Sequence, residues 1–304
     1  MRRELQNNPL LSGQWMLIGM VVIALVDNFV GRLAETVSLW QFFIVRMFMT
    51  FPIIYLMSRV GMGTIRPKNL WRVMVRGALV AMAMVFYFGS LAFVPISQAL
   101  AGLFTSPIFV LLISVFLLGK PVGKWRIIAV LVGFAGILIV TGASFASMGM
   151  TSLLPLAGGL FYAFGVVATR ELCADEGTLP MVWSMYVMQG VYAVFALIGL
   201  WIFDPIVPAG ADGFLLRSWV ADMSPAMWII IAQAVGSTIG VFFIVKAYQA
   251  AEASYAAVFE YSVFVFGPLF AYFLWGQGIT STEVIGIMLI SLAGIIIAFR
   301  SSSA

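Results

Sequence analysis

SQALAGLFTSPIFVLLISVFLLG, residues 97–119, has a counterpart later in the chain, SYAAVFEYSVFVFGPLFAYFLWG, residues 254–276. In both stretches small residues come first, a polar residue or a proline interrupts the apolar run, and an aromatic-rich segment ends on Gly119 or Gly276. The segments that follow also agree, because AVLVGFAGILIV (129–140) resembles GIMLISLAGIIIAF (286–299). Any two apolar helices share some likeness, but the shared order of features predicts an internal duplication.

The composition places the chain in a membrane. Of 304 residues, 63% are hydrophobic and 9% are charged, and the mean hydropathy is +1.09, whereas a soluble domain carries about 25% charged residues. A spanning helix needs roughly 20 apolar residues, and the apolar runs are continuous rather than alternating, which favours helices over a β-barrel. We therefore expect an all-α polytopic membrane protein in contact with a lipid bilayer.

The apolar stretches predict ten transmembrane helices. They fall at about 13–33, 38–57, 72–93, 97–118, 125–142, 151–170, 180–203, 225–245, 253–275 and 283–299. Residues 1–146 and 147–304 would then form two repeats of five helices, and an odd number of crossings requires the second repeat to be inverted in the membrane. The start, Met1-Arg2-Arg3 before an apolar run from about Trp15, imitates a signal peptide, but we interpret it as the uncleaved first helix.

The basic residues predict the orientation in the membrane. With the N-terminus in the cytoplasm, thirteen basic residues fall on the inner side: Arg2, Arg3, Arg59, Arg66, Lys68, Arg72, Arg76, Lys120, Lys124, Arg126, Arg170, Lys246 and Arg300. The outer side keeps Arg32 and Arg217. This asymmetry is the positive-inside pattern, and it predicts that both termini are cytoplasmic. Because the net charge of +4 is spread over short loops rather than gathered in one patch, we expect no nucleic-acid partner.

The chain resembles the EamA-type members of the drug/metabolite transporter superfamily. Three features carry the resemblance: Arg46-Met47-Phe48, the block LAFVPISQALAGLFTSPIFVLLISVFLLGK (91–120) and its counterpart AYQAAEASYAAVFEYSVFVFGPLFAYFLWGQ (247–277). Family members end these blocks with Gly-Glu, whereas Lys120 and Gln277 stand in the glutamate places here. The resemblance implies a carrier of amino acids or related metabolites, or of S-adenosylmethionine or riboflavin, in a bacterial inner membrane.

Three ionisable residues inside the predicted helices are the strongest candidates for substrate binding: Asp27, Arg46 and Glu260. A charge at the bilayer centre costs about 2.5–3.5 kcal/mol on insertion scales, so such residues face a cavity or one another. We expect Arg46 and Glu260 to line one central pathway, with Arg46 binding a carboxylate or phosphate. Glu260 or Asp27 would bind an ammonium group or a coupling proton. The alternative is an ion pair that only stabilises the bundle.

Polar and aromatic residues near the repeated blocks form a second group of candidates for substrate binding: Tyr87, Ser90, Gln98, Tyr248 and Tyr261. Each has an ordinary structural alternative, because Ser bonds its own helix and Tyr anchors at the membrane interface. Pro107 and Pro268 are expected to break the fourth and ninth helices, which would free backbone carbonyls at a site.

The sequence also limits the chemistry. It contains one cysteine, Cys173, and no histidine, so we expect no metal site, no cofactor and no catalytic residue. No G-x-x-x-x-G-K-[ST] motif is present, which excludes ATP-driven transport by this chain. We expect a secondary transporter for an amino acid or related zwitterion that works by alternating access as a monomer or homodimer. A carrier of a flat nucleoside-like or flavin-like ligand is the alternative, ahead of a membrane enzyme or a receptor.

Overall fold

The computed structural model describes residues 8–94, 96–142, 151 and 153–300. Within these residues the regular structure is helical, without a strand. The α-helices are α1 (Pro9–Asp27), α2 (Val30–Thr36), α3 (Leu39–Arg59), α4 (Leu70–Ser90), α5 (Ile96–Leu103), α6 (Ser106–Leu112), α7 (Lys124–Thr141), α8 (Leu153–Glu171), α9 (Thr178–Phe203), α10 (Ser224–Ala250), α11 (Ala253–Glu260), α12 (Val263–Trp275) and α13 (Ser281–Arg300). A π-helical turn, Ile113–Leu117, extends α6.

Ten helical segments are long and apolar enough to cross a bilayer, which confirms the predicted number among the described residues. The fourth span is α5 with α6 and its π-helical extension, and the ninth is α11 with α12. The first span runs over Pro9–Asp27 rather than about 13–33, and a separate helix, α2, follows it. Asn8 caps the start of α1 by accepting a hydrogen bond from Leu11 N at 3.1 Å.

The two halves have the same internal order, displaced by a constant number of residues. Helices α5 and α11 each contain eight residues, and each is followed by a two-residue interruption before α6 or α12 begins. Gly119 and Gly276 occupy equivalent positions and have left-handed backbones, with φ of +61° and +65°. Glycine is favoured at such helix ends because it has no Cβ to clash.

Helix packing follows the same two-fold pattern. Helix α1 packs on α10 while α4 packs on α8, so the first helix of each half contacts the third helix of the other. Helix α3 packs on α9, and α7 packs on α13. Two five-helix repeats of opposite orientation account for this exchange of partners. The predicted boundary between residues 146 and 147 lies outside the described residues and stays a prediction.

The interruptions in the fourth and ninth spans share one local cause. Thr105 Oγ1 donates to Gly102 O at 2.6 Å, and its repeat equivalent, Ser262 Oγ, donates to Phe259 O at 2.7 Å. A hydroxyl that bonds its own backbone competes with the regular helix ladder. Pro107 lies in the first turn of α6, just after the break. Pro268 differs from expectation, because it lies inside the continuous helix α12 and the ninth span breaks at Tyr261–Ser262 instead.

The two ends of the bundle are joined by different contacts. One end, here called the basic end, carries the connections after α3, α6, α8 and α10, and ion pairs link Lys120 to Glu171 and Arg126 to Glu252 there. At the opposite end the loop between α9 and α10 is bonded to the junction of α2 and α3. The predicted basic residues Arg2 and Arg3 lie outside the described residues.

Candidate functional site

A central cavity lies between the two halves of the bundle. Its non-atom space, including the part that opens to solvent at its mouth, is about 810 Å³. Helices α1, α3, α4, α5, α6, α8, α9 and α10 contribute side chains, whereas α7 and α13 contribute none among the described residues. The polar or aromatic lining residues are Asp27, Arg46, Arg76, Tyr87, Phe88, Phe104, Ser106, Tyr162, Tyr186, Gln189, Gln233 and Ser237.

Arg46 contributes a buried cation to this cavity. Its side chain is 3% exposed, and Nη2 donates to Gln189 Oε1 at 2.7 Å. The guanidinium carbon lies 4.3 Å from the ring centre of Phe42 and 5.5 Å from that of Tyr186, distances at which the ring face attracts a cation. Nε has no hydrogen-bond partner in the structure. The guanidinium is therefore held in place by neutral groups and retains donors for a ligand.

Asp27 contributes an anion to the same cavity. It lies at the C-terminal end of α1, and Gln233 Nε2 donates both to its Oδ1 at 3.2 Å and to Val26 O at 2.9 Å. Asp27 and Arg46 attract one another electrostatically, but they are not within ion-pair distance. A carboxylate and a guanidinium thus share one cavity without neutralising each other by direct contact.

Arg76 is a second buried cation, and its position corrects the prediction that it belongs to an inner loop. It lies within α4 and is 2% exposed. Its Nε donates to Thr169 Oγ1 at 2.9 Å and its Nη1 to Met181 O at 3.0 Å. Both contacts reach into the second half of the chain, so Arg76 joins the halves at the cavity wall.

Glu260 is fully buried but is not among the residues that line the cavity. The Tyr162 hydroxyl, which does belong to a lining residue, donates to Glu260 Oε1 at 2.7 Å. Tyr248 lies close to the same carboxylate, but among the described residues its hydroxyl and Glu260 Oε2 lack a partner with good hydrogen-bond geometry. Glu260 therefore lies behind Tyr162, whereas the sequence predicted that it would line the pathway together with Arg46.

The other expected residues divide between the cavity and the surrounding packing. Tyr87 lines the cavity, and its hydroxyl has no partner. Ser90 donates to Tyr87 O in its own helix at 2.7 Å, and Gln98 is half-buried outside the cavity lining. Tyr261 is fully buried against Gly133 of α7, away from the lining residues.

Comparison with known proteins identifies the family. The model of the EamA-like transporter family matches the chain twice, over residues 11–142 and 149–300. The chain belongs to the EamA-like transporter family. The two matches lie on the two five-helix halves, as the resemblance of the repeated blocks implied. A protein of known structure, 17% identical, superposes with a TM-score of 0.70 over 97% of this chain and 99% of its own, which agrees with this fold.

Several relatives of this EamA-like protein have named substrates. It is 27% identical to the pseudopaline exporter CntI of Pseudomonas aeruginosa, over 79% of each chain. It is 24% identical to a riboflavin transporter of Rhizobium johnstonii, over 84% of this chain and 80% of the relative. It is 20% identical to an S-adenosylmethionine uptake transporter of Rickettsia prowazekii, over 94% and 91%. These names describe transporters, with three different substrates.

Proposed function

We propose that this protein is a secondary transporter that moves a small polar metabolite, an amino acid or a related zwitterion, across a bacterial inner membrane by alternating access. The observation that carries the proposal is the pairing of Arg46 with Asp27 in one central cavity. A zwitterion presents a carboxylate to the guanidinium and an ammonium group to Asp27. From the sequence, Glu260 was the expected partner of Arg46; we propose Asp27 in that role, because Asp27 lines the cavity and Glu260 is not among the lining residues.

The chemistry of each group supports this assignment. The guanidinium of Arg46 is a planar fork that matches a carboxylate, and its Nε is unpartnered and buried. Unpartnered buried donors carry a desolvation cost that a bound ligand removes. Asp27 already accepts one hydrogen bond from Gln233, and a carboxylate has further acceptor positions for an ammonium group.

A flat aromatic ligand is the alternative substrate. The cavity wall includes the rings of Tyr87, Phe88, Phe104 and Tyr186, and aromatic faces stack on planar ligands. Because two relatives are named as riboflavin and S-adenosylmethionine transporters, flat aromatic ligands belong in the experimental test. The names also differ in direction, since one is an exporter and another an uptake transporter.

Both termini are proposed to be cytoplasmic. The connections at the basic end carry Arg59, Arg66, Lys68, Lys120 and Lys124, which the positive-inside rule places in the cytoplasm. The loop between α9 and α10 then lies on the outer side. The similarity to a bacterial exporter, that of Pseudomonas aeruginosa, supports an inner-membrane location.

The experiment measures the melting temperature of the detergent-purified protein with amino acids, nucleosides, S-adenosylmethionine, riboflavin and organic anions. A ligand that binds only the folded protein raises its melting temperature. We expect an amino acid or related zwitterion to do so, and Arg46→Ala to remove the shift. Arg59→Ala is the matched control because Arg59 lies on the same helix, exposed, at the basic end. A shift that survives in Arg46→Ala would contradict the proposed site.

A further inference from the structure

Glu260 is a buried carboxylate with no counter-ion. Its exposed fraction is 0%, and among the described residues the ion pairs are Lys120–Glu171 and Arg126–Glu252, which do not include it. An ionised carboxylate in an apolar interior is strongly disfavoured unless it is paired. A proton or a bound cation must therefore neutralise the Glu260 carboxylate when the protein is in this conformation.

The groups that face Glu260 are phenols. Tyr162 of α8 donates to Oε1, while Tyr248 of α10 and Tyr261 next to Glu260 lie within electrostatic range of the carboxylate. The other helices packed on α11 are α1, α6, α7 and α13, and none of them places a charged residue in an ion pair with Glu260 in the described structure. Arg76 is a cation that interacts electrostatically with two of these phenols, Tyr162 and Tyr248.

Three buried oxygens in this cluster lack hydrogen-bond partners: Glu260 Oε2, Tyr248 Oη and Tyr261 Oη. A single proton on the carboxyl group removes the negative charge and adds one hydrogen-bond donor to the cluster. A metal ion would need more ligands of this kind, and the described residues hold no cluster of three or more His, Cys, Asp or Glu side chains. A proton neutralises the carboxylate without any additional ligand.

The fold itself does not require an acid at this position. The repeat equivalent of Glu260 is Leu103, which ends α5 as Glu260 ends α11. The same helix interruption forms after Leu103, with the equivalent hydroxyl bond from Thr105. Leu103 also lines the cavity. The break forms in the first repeat without an acid, yet the second repeat has Glu260 at the equivalent position. This difference indicates that Glu260 has a role other than forming the break.

We propose that Glu260 is the proton-binding site of this transporter, and that Tyr162 connects it to the substrate cavity. Protonation is a concerted exchange: a hydronium ion in the cavity gives a proton to Tyr162 Oη and becomes water, as the Tyr162 hydroxyl proton moves to Glu260 Oε1. The phenol stays neutral and the carboxylate becomes a carboxylic acid, so charge and protons balance. Release follows the same steps in reverse. The role of this proton in transport rests on the function proposed above.

The inverted repeats give this site a second environment. In alternating access the two repeats exchange their conformations about the central site. Here the break of the fourth span, with Leu103 and Phe104, faces the cavity, while the equivalent break with Glu260 is buried. In the exchanged state Glu260 takes the place that Leu103 has now. A proton site that is buried in one state and faces the cavity in the other is what coupling requires.

The test is infrared spectroscopy of the reconstituted full-length protein during a change from mildly acidic to alkaline buffer, with no other ligand added. We expect wild type to lose a carboxylic-acid carbonyl band as the pH rises, and Glu260→Gln to lack this band. Glu260→Leu, which copies the first repeat, is the second variant, and size-exclusion chromatography verifies its folding. Glu252→Gln is the matched control, because Glu252 is a more exposed glutamate near the start of the same helix.

The role of Tyr162 has its own measurement. After a rapid pH jump, Tyr162→Phe should retain the band, shift its frequency and slow its change severalfold, whereas Tyr192→Phe should behave as wild type. Tyr192 is a suitable control because its hydroxyl donates to Ala78 O, away from Glu260. Unchanged kinetics in Tyr162→Phe would contradict the connection through this residue.

Two outcomes would overturn the proton site itself. One is an identical band in wild type and Glu260→Gln. The other is a band in wild type that changes when sodium replaces choline at constant pH, which would assign the cluster to a metal cation. Failure of the substrate assignment would be seen separately, since the ligand panel would give no shift in melting temperature while the Glu260 band persisted.

Discussion

At the scale of single residues, amides from the second repeat hold the two charges of the cavity. Gln189 accepts from Arg46 and Gln233 donates to Asp27. Neutral partners fix both charged groups without neutralising them, which would keep them available to the proposed zwitterionic substrate. A carboxylate in contact with Arg46 would instead compete with the substrate for the guanidinium.

Gln233→Leu should destabilise the protein by about 1–3 kcal/mol, because it leaves Val26 O and Asp27 Oδ1 buried without this donor. Thermal unfolding of the purified protein measures the effect. Gln98→Leu is the matched control, since Gln98 is half-buried and we expect little change there. Equal melting temperatures for wild type and Gln233→Leu would show that this amide does not hold the charged group.

The sequence was sufficient to predict the charged residues of the cavity, but not the side chains that contact them. Asp27 and Arg46 stand out because a charge in an apolar run is costly, whereas a glutamine such as Gln189 carries no comparable signal. Arg76 lies one helical turn after Arg72, so the pair resembled an interfacial cluster. The burial of Glu260 was predictable from its place in the span, but the side of the helix it faces depends on packing around the break at Tyr261–Ser262.

At the scale of helices, the pair α7 and α13 is the clearest case of close packing. A Cβ on Gly136 would lie 2.7 Å from Gly286 O, and a Cβ on Gly286 would lie 2.7 Å from Gly136 O. The contact is reciprocal because the two glycines face one another where the helices meet. Neither helix lines the cavity among the described residues, so we interpret their contact as structural.

Gly136→Ala and Gly286→Ala should each lower the free energy of unfolding by about 1–3 kcal/mol, because the added methyl group meets backbone that cannot move without separating the helices. Gly294→Ala is the control on α13, since a Cβ there meets no atom within 4 Å. It should be neutral or slightly stabilising, as alanine favours helix over glycine. A Gly136→Ala protein as stable as Gly294→Ala would contradict the packing.

The number and order of the spans were predictable because apolar length is a strong signal. The duplication was predictable because Gly119 and Gly276 end equivalent segments. The predicted break of the ninth span at Pro268 was wrong, because the prediction treated proline as the helix breaker. The interruption lies at Ser262, whose hydroxyl bonds its own backbone. A hydroxyl at equivalent places of both repeats was the available signal.

At the scale of the whole molecule, the loop between α9 and α10 joins the repeats at the end opposite the basic end. Gln41 donates to Val220 O at 2.7 Å and accepts from Val220 N at 3.0 Å. Arg217 donates to Val37 O at 2.7 Å, and Leu39 N donates to Phe214 O at 3.0 Å. The proposed alternating access requires this end to separate in one state, and these bonds would then stabilise the state in which it is closed.

Gln41→Leu should therefore increase the fraction of molecules that are open at this end. A cysteine placed at Ser106, a buried cavity residue, reports the opening through its rate of labelling by a membrane-impermeant maleimide added outside intact cells. The native Cys173 contributes little background, because burial raises the pKa of its thiol to about 11, despite the nearby Arg76 guanidinium, and leaves little reactive thiolate.

Ser106→Cys alone and Ser106→Cys with Thr36→Ala are the controls for this measurement. The Thr36 hydroxyl bonds carbonyls of its own helix, at 3.3 Å from Arg32 O and Leu33 O, so its loss leaves the contact between repeats intact. We expect severalfold faster labelling only when Gln41→Leu is present. Equal labelling rates in Ser106→Cys alone, with Thr36→Ala and with Gln41→Leu would show that these hydrogen bonds do not control the opening of the cavity. Faster labelling only from the cytoplasmic side would show that the proposed orientation is reversed.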